Sequence, residues 1–137
     1  MVHPSRRSTP TIMPGARILC VDDDPRINEI NEIVLRRAGY EVSVAESTSD
    51  ALTRLKTESF DLVITDLFPQ SPRDSAFVTN LRRLDPEMPV ILVTGNHNPP
   101  PEILGQADAF VVKAYSLNAL TDSVREVLLR CRLKRIF

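Results

Sequence analysis

From residue 17 onward, short apolar runs alternate with stretches of helical period. Ile18-Leu19-Cys20-Val21, Leu62-Val63-Ile64, Val90-Ile91-Leu92-Val93 and Phe110-Val111-Val112 are continuous, the pattern of strands buried on both faces. Tyr40, Val42 and Val44 alternate as a further strand. Between these runs lie helix signals. Asp24 is a good N-cap and Pro25 suits the first helical position. Ile27, Ile30, Ile33 and Val34 follow at helical spacing, and Gly39 stands where a helix closes. Ser47 with Asp50 three on resembles a capping box, with Ala51, Leu52 and Leu55 on one face. Phe77, Val78, Leu81 and Leu84 mark another helix. Ser116 caps a last one, with Leu117, Leu120, Val124, Val127, Leu128 and Cys131 inward and an end near Arg132.

Strands alternating with helices make βαβ units, hence a parallel sheet covered on both faces. Right-handed crossovers leave few topologies. For five strands we expect the flavodoxin-like order 2-1-3-4-5, an α/β three-layer (βα)5 sandwich. Residues 1–15 lack any period. Pro4, Pro10 and Pro14 interrupt them and Gly15 closes them, so we expect a flexible N-terminal arm before a domain over 16–137.

Composition narrows the class. The 137 residues suit one domain, and the net charge of −1 argues against a generally basic nucleic-acid binder. Charge is uneven: residues 22–124 hold nine basic and seventeen acidic side chains, whereas both ends are basic. No apolar run is long enough for a membrane span, and no apolar stretch follows Arg6-Arg7 as in a secretory signal. Cys20 and Cys131 form no disulfide framework. The expectation is a cytoplasmic, reduced protein.

In an open parallel sheet, ligands sit beyond the carboxyl ends of the strands. Strand 1 ends at Asp22 and Asp23, strand 3 at Asp66, strand 4 at Thr94 and strand 5 at Lys113. In the order 2-1-3-4-5 those four strands are neighbours, so their ends converge. Clustered carboxylates repel unless a cation joins them. Oxygen donors favour Mg2+. A carboxylate facing a metal, an amine and a hydroxyl suits phosphoryl transfer, with Asp66 as nucleophile and the Asp22-Asp23 pair as metal ligands. Each residue alone has a plainer use: aspartates cap helices, Thr94-Gly95 makes a turn, and Lys113 is a solvated lysine. The joint placement at successive strand ends carries the argument.

These segments resemble the receiver domain of bacterial two-component response regulators. The likeness rests on Ile18-Leu19-Cys20-Val21-Asp22-Asp23-Asp24-Pro25, Asp61-Leu62-Val63-Ile64-Thr65-Asp66, Val90-Ile91-Leu92-Val93-Thr94-Gly95 and Ala107-Asp108-Ala109-Phe110-Val111-Val112-Lys113. It covers about residues 16–132. The resemblance implies transfer of a phosphoryl group to Asp66 from a histidine kinase or phosphotransfer protein. It implies Mg2+ (or Mn2+) bound by Asp23, Asp66 and the backbone carbonyl of Phe68, with Asp22 acting through water. Lys113 pairs with the phosphoryl group, and Thr94 with Phe110 forms a switch. A phosphoprotein of this kind is not a turnover enzyme. It signals through a changed affinity for a downstream protein, as a monomer or weak dimer, without nucleic acid or membrane.

The sequence departs from the family pattern in three places. Ala114 stands after Lys113 where proline with a cis bond is usual. A non-prolyl cis bond costs about 2.5–4 kcal/mol, so that bond is either trans with a rearranged loop or strained. The loop Phe68-Pro69-Gln70-Ser71-Pro72 brings its proline one residue early and has no following glycine. Asn96-His97-Asn98-Pro99-Pro100-Pro101 occupies half the space of the fourth helix, which we expect to be short or absent. A stand-alone receiver is expected, since only Lys134-Arg135-Ile136-Phe137 remain after the last helix. Two other classes fit some of these features: a phosphorylation-independent adaptor of receiver fold, and a Mg2+-dependent phosphatase with an aspartyl nucleophile. The second usually carries another acid where Phe68 stands.

By the resemblance, Phe68 overlooks the path of the attacking water, and a bulky apolar ring there slows self-dephosphorylation. Following loss of label from the purified protein, we expect a longer phosphoryl lifetime with Phe68 than in Phe68→Asn. A half-life of seconds counts against it.

Overall fold

The computed structural model describes residues 15–66, 76–95, 105–112 and 117–136, and the fold reported is that of these residues. The strands are β1 (Arg17–Val21), β2 (Glu41–Ala45), β3 (Leu62–Asp66), β4 (Val90–Thr94) and β5 (Ala109–Val112). They form one parallel sheet in the order β2-β1-β3-β4-β5. The helices among the described residues are α1 (Pro25–Arg37), α2 (Thr48–Thr57), α3 (Phe77–Leu84) and α4 (Leu117–Ile136).

Strand alternation sends side chains to two cores. Ile18, Cys20, Leu62, Ile64, Ile91 and Val93 pack with Leu35 of α1 and with Leu120, Val124, Val127 and Leu128 of α4. Leu19, Val21, Val63, Val90 and Leu92 pack with Ala51 of α2 and with Phe77, Val78 and Leu81 of α3. Helices therefore cover both faces, which is why the central strands read as unbroken apolar runs. This is the flavodoxin-like three-layer arrangement expected from the sequence.

Three helix ends follow their signals, and the Ser116 cap lies outside the described residues. Asp24 caps α1 by accepting the Arg26 N–H at 2.9 Å, ahead of Pro25. Ser47 Oγ accepts the Asp50 N–H at 3.0 Å and caps α2. Gly39, at φ 101°, closes α1. Its N–H reaches Arg36 O, and the Tyr40 N–H reaches Leu35 O. That is a Schellman closure, with Tyr40 and Leu35 both in the core. A side chain at position 39 would be strained at this φ.

Six expectations change or fall outside view. The buried residues of α1 are Asn28, Asn31 and Leu35, whereas Ile30 and Ile33 are 45% and 47% exposed. Leu84, the last residue of α3, is exposed too. The last helix runs past Arg132 to Ile136, its end carrying Arg130, Arg132 and Lys134, favourable charges near a helix C-terminus. The N-terminal arm (1–14), the segment expected to hold a short fourth helix (96–104), and the Lys113-Ala114 bond lie outside the described residues.

The edge strand β2 is capped by side chains. The Glu41 N–H bonds Ala16 O and the Asp22 N–H bonds Ala45 O, so the backbones of Val42 and Val44, out of phase, face away from β1. Arg36 of α1 donates to Val42 O at 2.9 Å, and Arg54 of α2 donates to Val44 O at 2.7 Å. Each guanidinium is also paired, with Glu32 and Glu58 respectively. Hydrogen bonds from Arg54 and then Arg17 hold the Glu58 carboxyl below the ordinary carboxylate range. Open strand edges template pairing with other chains. In the double variant Arg36→Ala/Arg54→Ala we expect sedimentation to show concentration-dependent self-association stronger than that of the wild type.

Candidate phosphoacceptor site

The site forms where β1 and β3 end. Their pairing sets Val21 opposite Thr65, so Asp22 and Asp66 lie in the next row. One carboxylate oxygen each from Asp22, Asp23 and Asp66 falls within 4.8 Å of the others. Asp22 is 3% exposed, Asp23 is exposed and Asp66 is half-buried. Asp22 is held firmly. Its N–H donates to Ala45 O at 3.1 Å, and its Oδ1 accepts the Asp24 N–H at 2.9 Å. The buried Thr65 hydroxyl donates to Asp66 O at 3.1 Å, bracing the end of β3.

Carboxylates whose oxygens lie within 4.8 Å of one another repel, and a cation among them relieves that repulsion. Three such groups call for a cation between them. Mg2+, with bonds of about 2.0–2.1 Å in an octahedron, separates opposite ligands by about 4.2 Å. The oxygen cluster is close to that size, and an all-carboxylate donor set suits a hard ion that keeps part of its water.

Thr94 ends β4, is 3% exposed and pairs with Val112, the last residue of β5. Phe110 pairs with Leu92, two residues before Thr94. Alternation thus places Thr94 and Phe110 on the same face of neighbouring strands. Phe110 is 36% exposed, its ring turned partly to solvent. Lys113 and Phe68, the amine and the carbonyl of the expected site, lie outside the described residues.

Acids at the opposite end of the sheet have another use. Asp61 Oδ2 accepts the Arg17 N–H at 2.8 Å. Asp108 Oδ2 accepts the Val90 N–H at 2.8 Å and pairs with Arg82 at 3.2 Å. A cavity of about 370 Å3 opens at that end between Arg82, Pro86, Glu87, Asp108, Cys131 and Lys134, away from the carboxylate cluster.

Sequence reasoning missed Asn28. It is 2% exposed, and its Nδ2 donates to Asp22 O at 2.9 Å and to Ala45 O at 3.1 Å. The available signal was two asparagines, 28 and 31, three apart in an otherwise amphipathic helix. Thr65, inside an apolar run, was missed as well.

Comparison with known proteins agrees with this geometry. The family model of the response regulator receiver domain matches residues 18–125. The transcriptional activator protein PfeR of Pseudomonas aeruginosa is 33% identical over 127 residues, covering 90% of this chain and 41% of that protein. The response regulator TrrA of Thermotoga maritima, solved with Mg2+-BeF, is 30% identical with a TM-score of 0.74, covering 82% of this chain and 98% of TrrA. TrrA has also been solved in complex with the histidine kinase ThkA, where the same coverage gives 31% identity and a TM-score of 0.74. A CheY-like receiver domain protein of Methanospirillum hungatei is 28% identical with a TM-score of 0.77, over 88% of this chain and 98% of that one. The chain belongs to the response regulator receiver domain family. It spans about a quarter to a half of the length of the curated relatives it matches. No helix among the described residues is long and apolar enough to cross a membrane.

The fold also silences Cys20. Burial, reinforced by the carboxylates of Glu32 and Asp22, pushes its thiol from 9.0 up to about 12. The thiolate is the reactive form. At pH 8 we expect Cys20 to resist a thiol reagent until the protein is unfolded. Because the folded value is raised, the associated stability is full below pH 9.0 and is lost as pH rises toward 12. Denaturant titrations across that range should show a loss that Cys20→Val lacks.

Proposed function

We propose that this receiver accepts a phosphoryl group on Asp66 from the phosphohistidine of a histidine kinase or phosphotransfer protein, and signals through changed binding to a downstream protein. The observation that carries this reading is the gathering of Asp22, Asp23 and Asp66 at adjacent strand ends. TrrA, solved with Mg2+-BeF and with the kinase ThkA, lends the ion and the donor class.

In the reaction, an Asp66 oxygen bonds to phosphorus as the phosphorus–nitrogen bond of the donor breaks. The imidazole leaves with that electron pair, and an acyl phosphate forms. Asp22, Asp23 and Asp66, with the carbonyl of Phe68, would hold Mg2+, which when bound offsets negative charge on the transferring oxygens. Asp22, pinned by backbone bonds, would act on the ion through water, and the exposed Asp23 would be a direct ligand. Lys113 pairs with the arriving oxygens. The buried Thr94 hydroxyl turns to the phosphoryl group, and the Phe110 ring moves inward behind it. That movement converts one added dianion into a different surface. The chain's own chemistry is limited to making and losing this acyl phosphate.

Incubation with Mg2+ and acetyl phosphate should add one phosphoryl group by intact mass. Asp66→Asn or removal of Mg2+ by chelation should abolish the addition, and Asp23→Asn should weaken Mg2+ binding at least tenfold. A protein that stays unmodified at saturating Mg2+ is an adaptor, and one that turns over a phosphomonoester is a phosphatase. Either result overturns the proposal.

A further inference from the structure

Asn28 lies in the first turn of α1, facing the sheet and almost fully buried. Both hydrogens of its amide are used. Nδ2 donates to Asp22 O at 2.9 Å and to Ala45 O at 3.1 Å. The reverse amide orientation would set Oδ1 against these two carbonyl oxygens, so the bonding pattern fixes which atom faces the strands. Oδ1 is left buried with no hydrogen-bond partner. A stranded acceptor is a cost to folding, and an apolar side chain on this face would avoid it. Joining β1 to β2 does not account for the residue either, because Ala45 O already accepts the Asp22 N–H.

What remains is the bond to Asp22 O. That carbonyl belongs to the peptide linking Asp22 to Asp23, and its direction sets the direction in which Asp23 leaves the backbone. Asp22 is held at its N–H, its carboxylate and, through Asn28, its carbonyl. Asp23 is exposed and inherits its orientation from that peptide plane. We infer that Asn28 is a positioning residue: it locks the Asp22-Asp23 peptide so that the Asp23 carboxylate stays in the oxygen cluster with Asp22 and Asp66. The inference rests on the Mg2+ site proposed above and adds the device that preorganises it. Outer partners that orient metal ligands typically contribute 10–100-fold to affinity.

The test is Mg2+ binding by calorimetry, well below the melting temperature so that folding stability does not enter. We expect Asn28→Leu, which removes both donors and the stranded oxygen, to bind Mg2+ about tenfold more weakly. It should still accept phosphate from acetyl phosphate once Mg2+ is saturating. Asn28→Ser, a gentler change, should be weakened as well. Unchanged affinity, within about twofold, in a folded variant overturns the inference. A wild type that binds no Mg2+ overturns the site reading instead. A third measurement needs no variant. Coupling is reciprocal, so if the Asn28 bonds favour the ion, the ion must tighten those bonds. Mg2+ should slow hydrogen exchange of the Asn28 side-chain amide in the wild type, and an unaltered rate overturns the proposal.

Discussion

Mutual repulsion among Asp22, Asp23 and Asp66 is the constraint around which this molecule is arranged. Like charges spread apart unless something rigid holds them, and here the rigid element is the parallel pairing of β1 with β3. Val21 opposite Thr65 fixes the row in which the acids emerge. The apolar residues behind that row, Leu19, Val21, Val63 and Ile64, are almost completely buried and cannot slide without exposing themselves. Folding energy from the two cores therefore maintains an electrostatic arrangement that is unfavourable by itself and becomes favourable when a cation enters.

The two ends of the sheet divide the labour. At the amino ends, Asp61 and Asp108 accept backbone N–H groups and lock β1 and β4 in place. At the carboxyl ends, the aspartates converge on one another. A parallel sheet makes this division possible because every strand presents the same end on the same side. The residue type is shared between the two ends, and what differs is that only at the carboxyl ends do the acids gather beside one another.

Much of this was legible in the chain. The strands announced themselves as unbroken apolar runs because they are covered on both faces. Asp24, Ser47 and Gly39 announced helix ends through local chemistry that needs no tertiary context. The rotation of α1 was not legible. Ile27, Ile30, Ile33 and Val34 make a convincing stripe, yet Ile30 and Ile33 face solvent. The amide of Asn28 reaches for two strand-end carbonyls and turns a different stripe inward. A polar bond formed across 17 positions of sequence leaves no trace in periodicity. The exposure of Leu84 has a simpler origin: it is the final residue of its helix. Convergence of the three acids could be read from topology alone, because strand order and strand ends are both sequence features.

The arginine caps on β2 bear on assembly as well as on pairing. Open-ended polymerisation by strand addition requires every copy to offer two free borders, one to receive and one to give. Arg36 and Arg54 occupy the outward carbonyls of one border. Sheet-to-sheet joining through the opposite border can then yield only a closed pair, after which nothing remains to propagate. Two side chains donated by helices on opposite faces of the sheet are enough to separate a protein that can dimerise in this way from one that can form fibres.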